Sequence, residues 1–575
     1  MKKLAKFMKG HGLECVLGPL FKLFEATLEL FVPLIIASII DVYIPLGDAG
    51  FEGIIWKSLK LLLLGAVGLG FSITAQFFCA RAAVGSVTKM RYSLFSHLGT
   101  LSYADIDRIG TSTMITRMTA DTNQVQSGIN LALRLLLRSP FVVFGAMVMA
   151  AIVAPDTVWI FGVTIAALSI VVFGIMLITM PLHKRVQKGV DKVVEKTREN
   201  LSGVRVIRAF CKEENEKEDF ARRNGALAKG QRLVGRISAL LNPLTYVIIN
   251  LAILFLIYTG AIKVSHGSLS AGEVVALYNY MSSILIELIK LANLIITITK
   301  SVASLDRVSA VLDIKPSMVE GECESGIGSD IAVEFKGAAL TYNGASGSSV
   351  EGITVAVKRG ETVGIIGGTG SGKTSLINLI PRLYDATEGE VLIDGRSVKE
   401  YRYGALRKKI ALVPQKATLF SGTIRDNMRF INKDATDEEI MRAIEIAAAT
   451  EVVESKGGLD GIIEQGGRNL SGGQRQRLTI ARALAANPEI LILDDSSSAL
   501  DYATDAAIRK SMRGLSKETT VFIVSQRAYS IMHADKILVL DDGELVGVGS
   551  HEQLLENCEV YREIYSSQYS ERSAV

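Results

Sequence analysis

Six stretches of this chain are long and apolar enough to cross a lipid bilayer, and nothing else in it limits the possible folds so strongly. Their approximate cores are 16–44, 58–80, 130–154, 157–181, 241–264 and 272–298. A helix needs about 20 such residues to span the hydrocarbon, where each backbone N–H and C=O must be satisfied within the segment. An all-α, six-helix transmembrane domain is therefore expected. The connections after the first, third and fifth spans, "IPLGDAGFEG", "APD" and "KVSHGSLSAGE", are short and carry Lys263 as their only cation. Those after the second and fourth are long and basic. One holds Arg81, Lys89, Arg91, Arg108 and Arg117, and the other opens on "HKRVQKGVDKVVEKTREN". Excess Lys and Arg marks the cytoplasmic side, so both long links and both termini are expected in the cytoplasm of a multi-pass protein of the cell membrane. The N-terminal "MKKLAKFMKGHG" is basic, but no short apolar core with a small-residue cleavage site follows it. It reads as an amphipathic lead-in and not as a signal peptide.

The link "VQKGVDKVVEKTRENLSGVRVIRAF" has apolar residues at helical spacing and no proline, so the membrane helices are expected to continue well beyond the bilayer. Arg134 and Arg138, one turn apart at the end of the third span, read as side chains that snorkel to the interface. Glu287 and Lys290 lie deeper in the sixth span at a spacing that lets them pair. Whether Glu25, Glu29, Glu287 or Lys290 lines a substrate cavity is open at this stage. After residue 312 the composition changes: "MVEGECESGIGSD" is rich in glycine and acid and reads as a linker. The expected organisation is a transmembrane domain over 1–312, a linker over 313–330 and a soluble α/β domain over 331–575. The formal net charge of +4, from 63 basic and 59 acidic residues, gives no pull toward nucleic acid. The five cysteines are scattered without metal-ligand spacing and are expected to be free thiols.

"VGIIGGTGSGKTSL" carries the chemistry. Gly367, Gly368, Thr369, Gly370, Ser371, Gly372, Lys373 and Thr374 fit the phosphate-binding pattern G-x-x-x-x-G-K-[ST], between a buried-strand pattern and a helical one that opens with Ser375. The glycines let backbone N–H groups crowd round phosphate oxygens, and the helix N-terminus adds its dipole. Lys373 is expected to reach the terminal phosphates and the Thr374 hydroxyl a magnesium ion.

Further on, "NLSGGQRQRLTIARAL" is followed by "EILILDD". With these motifs the chain resembles a half-size ATP-binding cassette exporter, one six-helix membrane domain fused to one nucleotide-binding domain, over nearly its whole length. The resemblance implies that Tyr342 stacks on adenine and that Gln415 looks toward magnesium. It makes Asp494 the metal-directed Walker B carboxylate, so Thr374, Gln415 and Asp494 form the expected Mg2+ set and ATP the expected nucleotide. It also implies a head-to-tail dimer. There Ser471, Gly472, Gly473 and Gln474 of "LSGGQ", with Asp501 of "SALD", act on the nucleotide held by the partner. The segments "DIDRIGTSTMITRMTADTNQVQ" and "RVIRAFCKEENEKEDF" resemble loops whose short helices dock on the cassettes.

Two positions depart from the family pattern. Where catalytic members have glutamate after the Walker B aspartate, "LILDDSSSALD" has Asp495, which retracts the carboxylate by roughly 1 Å, enough to cost about a hundredfold in rate. Where they have a switch histidine, "VFIVSQR" has Gln526, which donates a hydrogen bond but carries no charge. "IEQGGRNLSGGQ" also lacks the usual acidic run before the signature. The expected reading is a degenerate ATP site in a heterodimer whose partner supplies the consensus glutamate and histidine. A slow homodimer and an ATP-gated channel are the alternatives. The expected cargo is hydrophobic or amphipathic, of unknown identity.

Overall fold

The computed structural model describes residues 2–515 and 519–570, which form two compact units: 2–99 with 112–314, and 100–111 with 315–515 and 519–570. In the first unit the spanning helices are α1 (Gly12–Ser38), α2 (Phe51–Leu98), α3 (Thr122–Leu135) continued by α4 (Arg138–Val153), α5 (Val158–Ser202), α6 (Leu241–Ser265) and α7 (Ala271–Leu312). At about 1.5 Å per residue, α2 and α5 are each roughly 70 Å long, more than twice the thickness of a hydrocarbon layer of about 30 Å. Among the described residues there are thus six spans, with long helical extensions on α2 and α5, as in a multi-pass membrane protein.

The third span differs from expectation, being broken and not one helix over 130–154. Pro140 has no N–H to give the carbonyl of Leu136, and the helix stops at Leu135 and restarts at Arg138. The restart turns Arg138 inward, which corrects the snorkelling assignment. Arg138 is 7% exposed and forks between two helices, donating from Nη1 to Glu287 of α7 at 2.6 Å and from Nη2 to Glu29 of α1 at 2.7 Å. Ser139 Oγ donates to the other Glu287 oxygen at 2.7 Å, and Lys290 Nζ to Oε1 at 2.8 Å. Two carboxylates and two cations thereby neutralise one another where three spans meet. At the other end of α7, Asp41 accepts from Ser270 Oγ (2.5 Å) and the Gly272 N–H (2.7 Å), satisfying a helix terminus that already has a Ser270–Glu273 capping box.

The second unit is built on two sheets. An antiparallel sheet contains β1 (Ile331–Leu340), β2 (Val350–Lys358) and β4 (Glu388–Ile393), with β1 in the centre. The other sheet has six strands: β3 (Thr362–Gly367), β5 (Ile410–Val413), β6 (Ile490–Asp494), β7 (Thr520–Val524), β8 (Lys536–Asp541) and β9 (Glu544–Gly549), in the order β9-β8-β3-β7-β6-β5. All neighbours are parallel except β8 and β9. The strands β3, β6, β7 and β8 read as continuous apolar runs because both sheet faces are covered, as parallel sheets require. Two apolar clusters flank it, one including Phe335, Ile365, Leu376 and Phe522 and the other Val413, Leu478, Leu491 and Met428.

Candidate functional site

Adjacent parallel strands end on the same edge of a sheet, and ligands bind outside their carboxyl ends. Here β3, β7 and β6 lie side by side, so Gly367, Ser525 and Asp494 are brought together although far apart in sequence. After β3 the chain turns through Gly370 and Gly372, at φ +89° and +90°, into α8 (Lys373–Leu379). A Cβ on Gly372 would sit 2.3 Å from the Ser349 carbonyl, so only glycine fits that close pass.

The resulting cleft, about 240 Å3, is lined by Thr369, Lys373, Thr374, Gln415, Asp495 and Gln526 among others. Lys373 is 9% exposed and donates to the carbonyls of Gly367 (3.0 Å) and Gly368 (2.6 Å) and to Ser371 Oγ (3.3 Å). Burial pulls its ammonium below the usual lysine range, against the opposing pull of Asp495 and Asp494. Thr374 Oγ1 donates to both oxygens of Asp494, 3.1 Å each, and burial raises the pKa of that carboxyl. Gln415 Nε2 donates to Asp495 Oδ2 at 3.2 Å. Asp495 itself stands at φ +44°, a left-handed conformation held by its N–H to the Val524 carbonyl. The loop thus lines a cleft of the kind that suits phosphate oxygens, while a hydroxyl, a carboxamide and a carboxylate line it beside Lys373. Mg2+ is commonly held by one or two carboxylates plus substrate phosphates. The donor set Thr374, Gln415 and Asp494 fits that ion, and among the described residues no cluster of three or more His, Cys, Asp or Glu offers a rival metal cage.

Tyr342 is joined to the cleft by its hydroxyl, which donates to Ser375 Oγ at 3.1 Å. Ser471 to Gln474 lie elsewhere in the unit. Ser471 caps α9 (Gly472–Leu484), its hydroxyl accepting from the Gln474 N–H and its N–H donating to Gln474 Oε1 at 2.9 Å. None of these four residues lines the cleft, and Ser471 and Gly472 are exposed. Asp501 caps α10 (Tyr502–Met512), accepting from the Thr504 N–H at 2.9 Å. That bond holds its carboxyl below the usual range.

Sequence reading missed what fastens the switch position. Gln568, on α11 (Glu559–Ser570), is a two-pronged hook: its Oε1 accepts from the Ala528 N–H at 2.9 Å and its Nε2 donates to the Gln526 carbonyl at 2.7 Å. Arg527 between them lies over the Tyr502 ring at 5.0 Å. No motif marks a glutamine 42 residues downstream of its partner. Replacing Gln568 by leucine is expected to speed amide exchange at Ala528 roughly fivefold, the equivalent of one hydrogen bond of about 1 kcal/mol. Exchange mass spectrometry of the peptide containing 526–528 measures this, and an unchanged rate would show that the hook holds nothing.

Family models agree with this layout. The ABC transporter transmembrane region matches residues 15–289 and the ABC transporter model matches residues 350–498. An uncharacterized ABC transporter ATP-binding protein of Mycobacterium tuberculosis is 34% identical over 561 residues, covering 96% of this chain and 95% of that one. An ATP-dependent lipid A-core flippase of Haemophilus influenzae is 30% identical, with 96% and 97% covered. A probable multidrug resistance ABC transporter ATP-binding/permease protein of Bacillus subtilis is 31% identical, with 99% and 97% covered. A bacterial Atm1-family ABC exporter with ATP bound has the same fold, with a TM-score of 0.76 at 23% identity over 98% of both chains.

Proposed function

This chain belongs to the ABC transporter family, as an exporter-type membrane region fused to its own transport ATPase, and from that premise we propose that it is the degenerate-site half of a heterodimer. The observation that carries the proposal is the pair Asp495 and Gln526 facing the same cleft as an intact phosphate loop. Lys373 and the loop N–H groups bind the triphosphate, Thr374, Gln415 and Asp494 hold Mg2+, which screens phosphate charge, and Tyr342 receives the base. Asp495 is too short to order water for attack and Gln526 has no proton or charge to offer the γ-phosphate, so nucleotide is retained more than turned over. Ser471, at an exposed helix N-terminus away from this chain's own cleft, completes the partner's site, where the partner's glutamate and histidine do the hydrolysis.

Closure of the two cassettes then drives the spans from inward- to outward-facing. In this reading the short helix Val204–Ala209, with Val206 61% and Phe210 71% exposed, docks on the partner's cassette. Both termini lie in the cytoplasm of a cell membrane, and the cargo is a hydrophobic or amphipathic molecule taken from the bilayer or cytoplasm.

Purified alone, the chain is expected to bind Mg-ATP but to hydrolyse it about a hundredfold more slowly than the pair, the cost of one misplaced catalytic group. After vanadate trapping with labelled nucleotide, the pair should hold ATP at this chain's site and ADP at the other. Robust turnover by a stable homodimer, or equal hydrolysis at both sites, would refute the asymmetric reading.

A further inference from the structure

A second cavity, about 360 Å3, opens beside Tyr342, and part of its wall comes from the first long link between membrane spans. Tyr342 and Asn343 line it from the end of β1, Tyr384 from the loop before β4, and Asp107 and Arg108 from the short helix Tyr103–Ile109. That helix is fastened within the nucleotide-binding unit. Asp105 accepts from the Ser317 N–H at 2.9 Å and from Ser317 Oγ at 3.0 Å, and Ser102 caps the helix with Asp105 in a capping box. The Tyr384 ring meets Tyr342 edge-on, 5.1 Å between centroids at 89°, and its hydroxyl donates to Asp107 Oδ2 at 2.6 Å. Tyr103 lies 6.2 Å from Tyr384. Burial, reinforced by Asp107, pushes the Tyr384 phenol well above its usual range, so it remains a donor.

The cavity therefore offers an aromatic face next to an acceptor. The Tyr342–Ser375 hydrogen bond joins it to the phosphate cleft, since Ser375 lines that cleft. A carboxylate has roughly four acceptor sites and donates nothing when ionised, and Tyr384 uses one of them.

With the base beside Tyr342 received in this cavity, we propose that Asp107, a residue of the membrane link, selects it. An exocyclic amine, as on C6 of adenine, donates to the Asp107 carboxylate. A carbonyl at that position, as in guanine, meets a like-polarity group with no donor. Tyr384 positions Asp107 and forms the edge of the platform on which the base stacks. The helix Tyr103–Ile109 then senses an adenine nucleotide directly. This rests on the nucleotide-binding reading of the adjacent cleft.

The test is competition of ATP and GTP, with Mg2+, against ribose-labelled fluorescent ATP on the full chain in lipid nanodiscs. A charge-assisted hydrogen bond corresponds to about a tenfold preference for ATP in the wild type. Asp107→Asn adds a donor that suits a carbonyl, so GTP binding should strengthen several-fold as ATP binding weakens. A gain for GTP is a result that misfolding cannot produce. Tyr384→Phe should narrow the preference, with Asp107 no longer oriented. Equal wild-type affinity for the two nucleotides, or an unchanged preference in Asp107→Asn, overturns the proposal. The cleft itself is checked by Lys373→Ala, which should lose both nucleotides alike. If it binds both like the wild type, the reading of the cleft fails, and the base assignment fails with it.

Discussion

Ser471→Glu in this chain is expected to lower ATP turnover of the assembled transporter by at least about a hundredfold, comparable to removing one preorganised donor from a site of developing charge. Ser471 is the exposed N-cap of α9 and lies outside this chain's own cleft, which in the proposed dimer leaves the N-terminus of that helix to the partner's nucleotide. A glutamate there would break the capping box with Gln474 and set a negative charge against the partner-held γ-phosphate. Asp495→Asn in the same chain should change turnover by less than about threefold. Its carboxylate is already set back by one methylene, and a rate depends steeply on such placement. Steady-state phosphate release by the reconstituted pair reads both effects. The order matters more than either size. If Asp495→Asn stops hydrolysis while Ser471→Glu keeps working, the cleft of this chain is the working catalytic centre and the degenerate assignment is wrong.

The second large effect lies in the membrane region. Arg138→Leu is expected to destabilise the protein by about 3–5 kcal/mol, the usual cost of stripping one partner from a buried ion pair. Glu287 is 3% exposed and would keep only Lys290 and Ser139, while Glu29 would lose its guanidinium. Arg138 lies roughly 22 Å along its helix from Val153, inside a hydrocarbon layer about 30 Å thick. Water is therefore poorly placed to compensate. Arg138→Lys should recover only part of the loss, because an ammonium cannot match a planar fork that reaches two carboxylates on different helices. Glu29→Gln should cost much less, because Arg138 keeps its bond to Glu287 and glutamine leaves no charge behind. The double change Arg138→Met with Glu287→Met should regain much of the stability, since the two charges it leaves without partners, Glu29 and Lys290, are both partly exposed and no buried charge is orphaned. Unfolding midpoints in detergent, followed by tryptophan fluorescence, rank the variants. A single Arg138→Leu protein as stable as the wild type would show that the network contributes nothing.

How much of this was legible beforehand follows from the range of each signal. The six spans, the long helical links and the phosphate loop are local patterns: an apolar run of the right length, a 3.6-residue period, glycines at set offsets. Each is enforced by backbone hydrogen bonding within a few residues, so the chain alone determines it. The two substitutions that distinguish this cassette, Asp495 and Gln526, are equally plain in the sequence because each sits at the end of an apolar strand run.

Tertiary structure decided the rest, through pairs that no local rule connects. Arg138 meets Glu287 across 149 positions, Gln568 grips Gln526 across 42, and Tyr384 reaches Asp107 across 277. For Arg138, local reading pointed the wrong way. A cation at a span end normally snorkels, but the break set by Pro140 turned it toward carboxylates on two other helices. A charge takes the environment with the lowest free energy, and whether that is the interface or a buried counter-ion depends on which helices pack beside it.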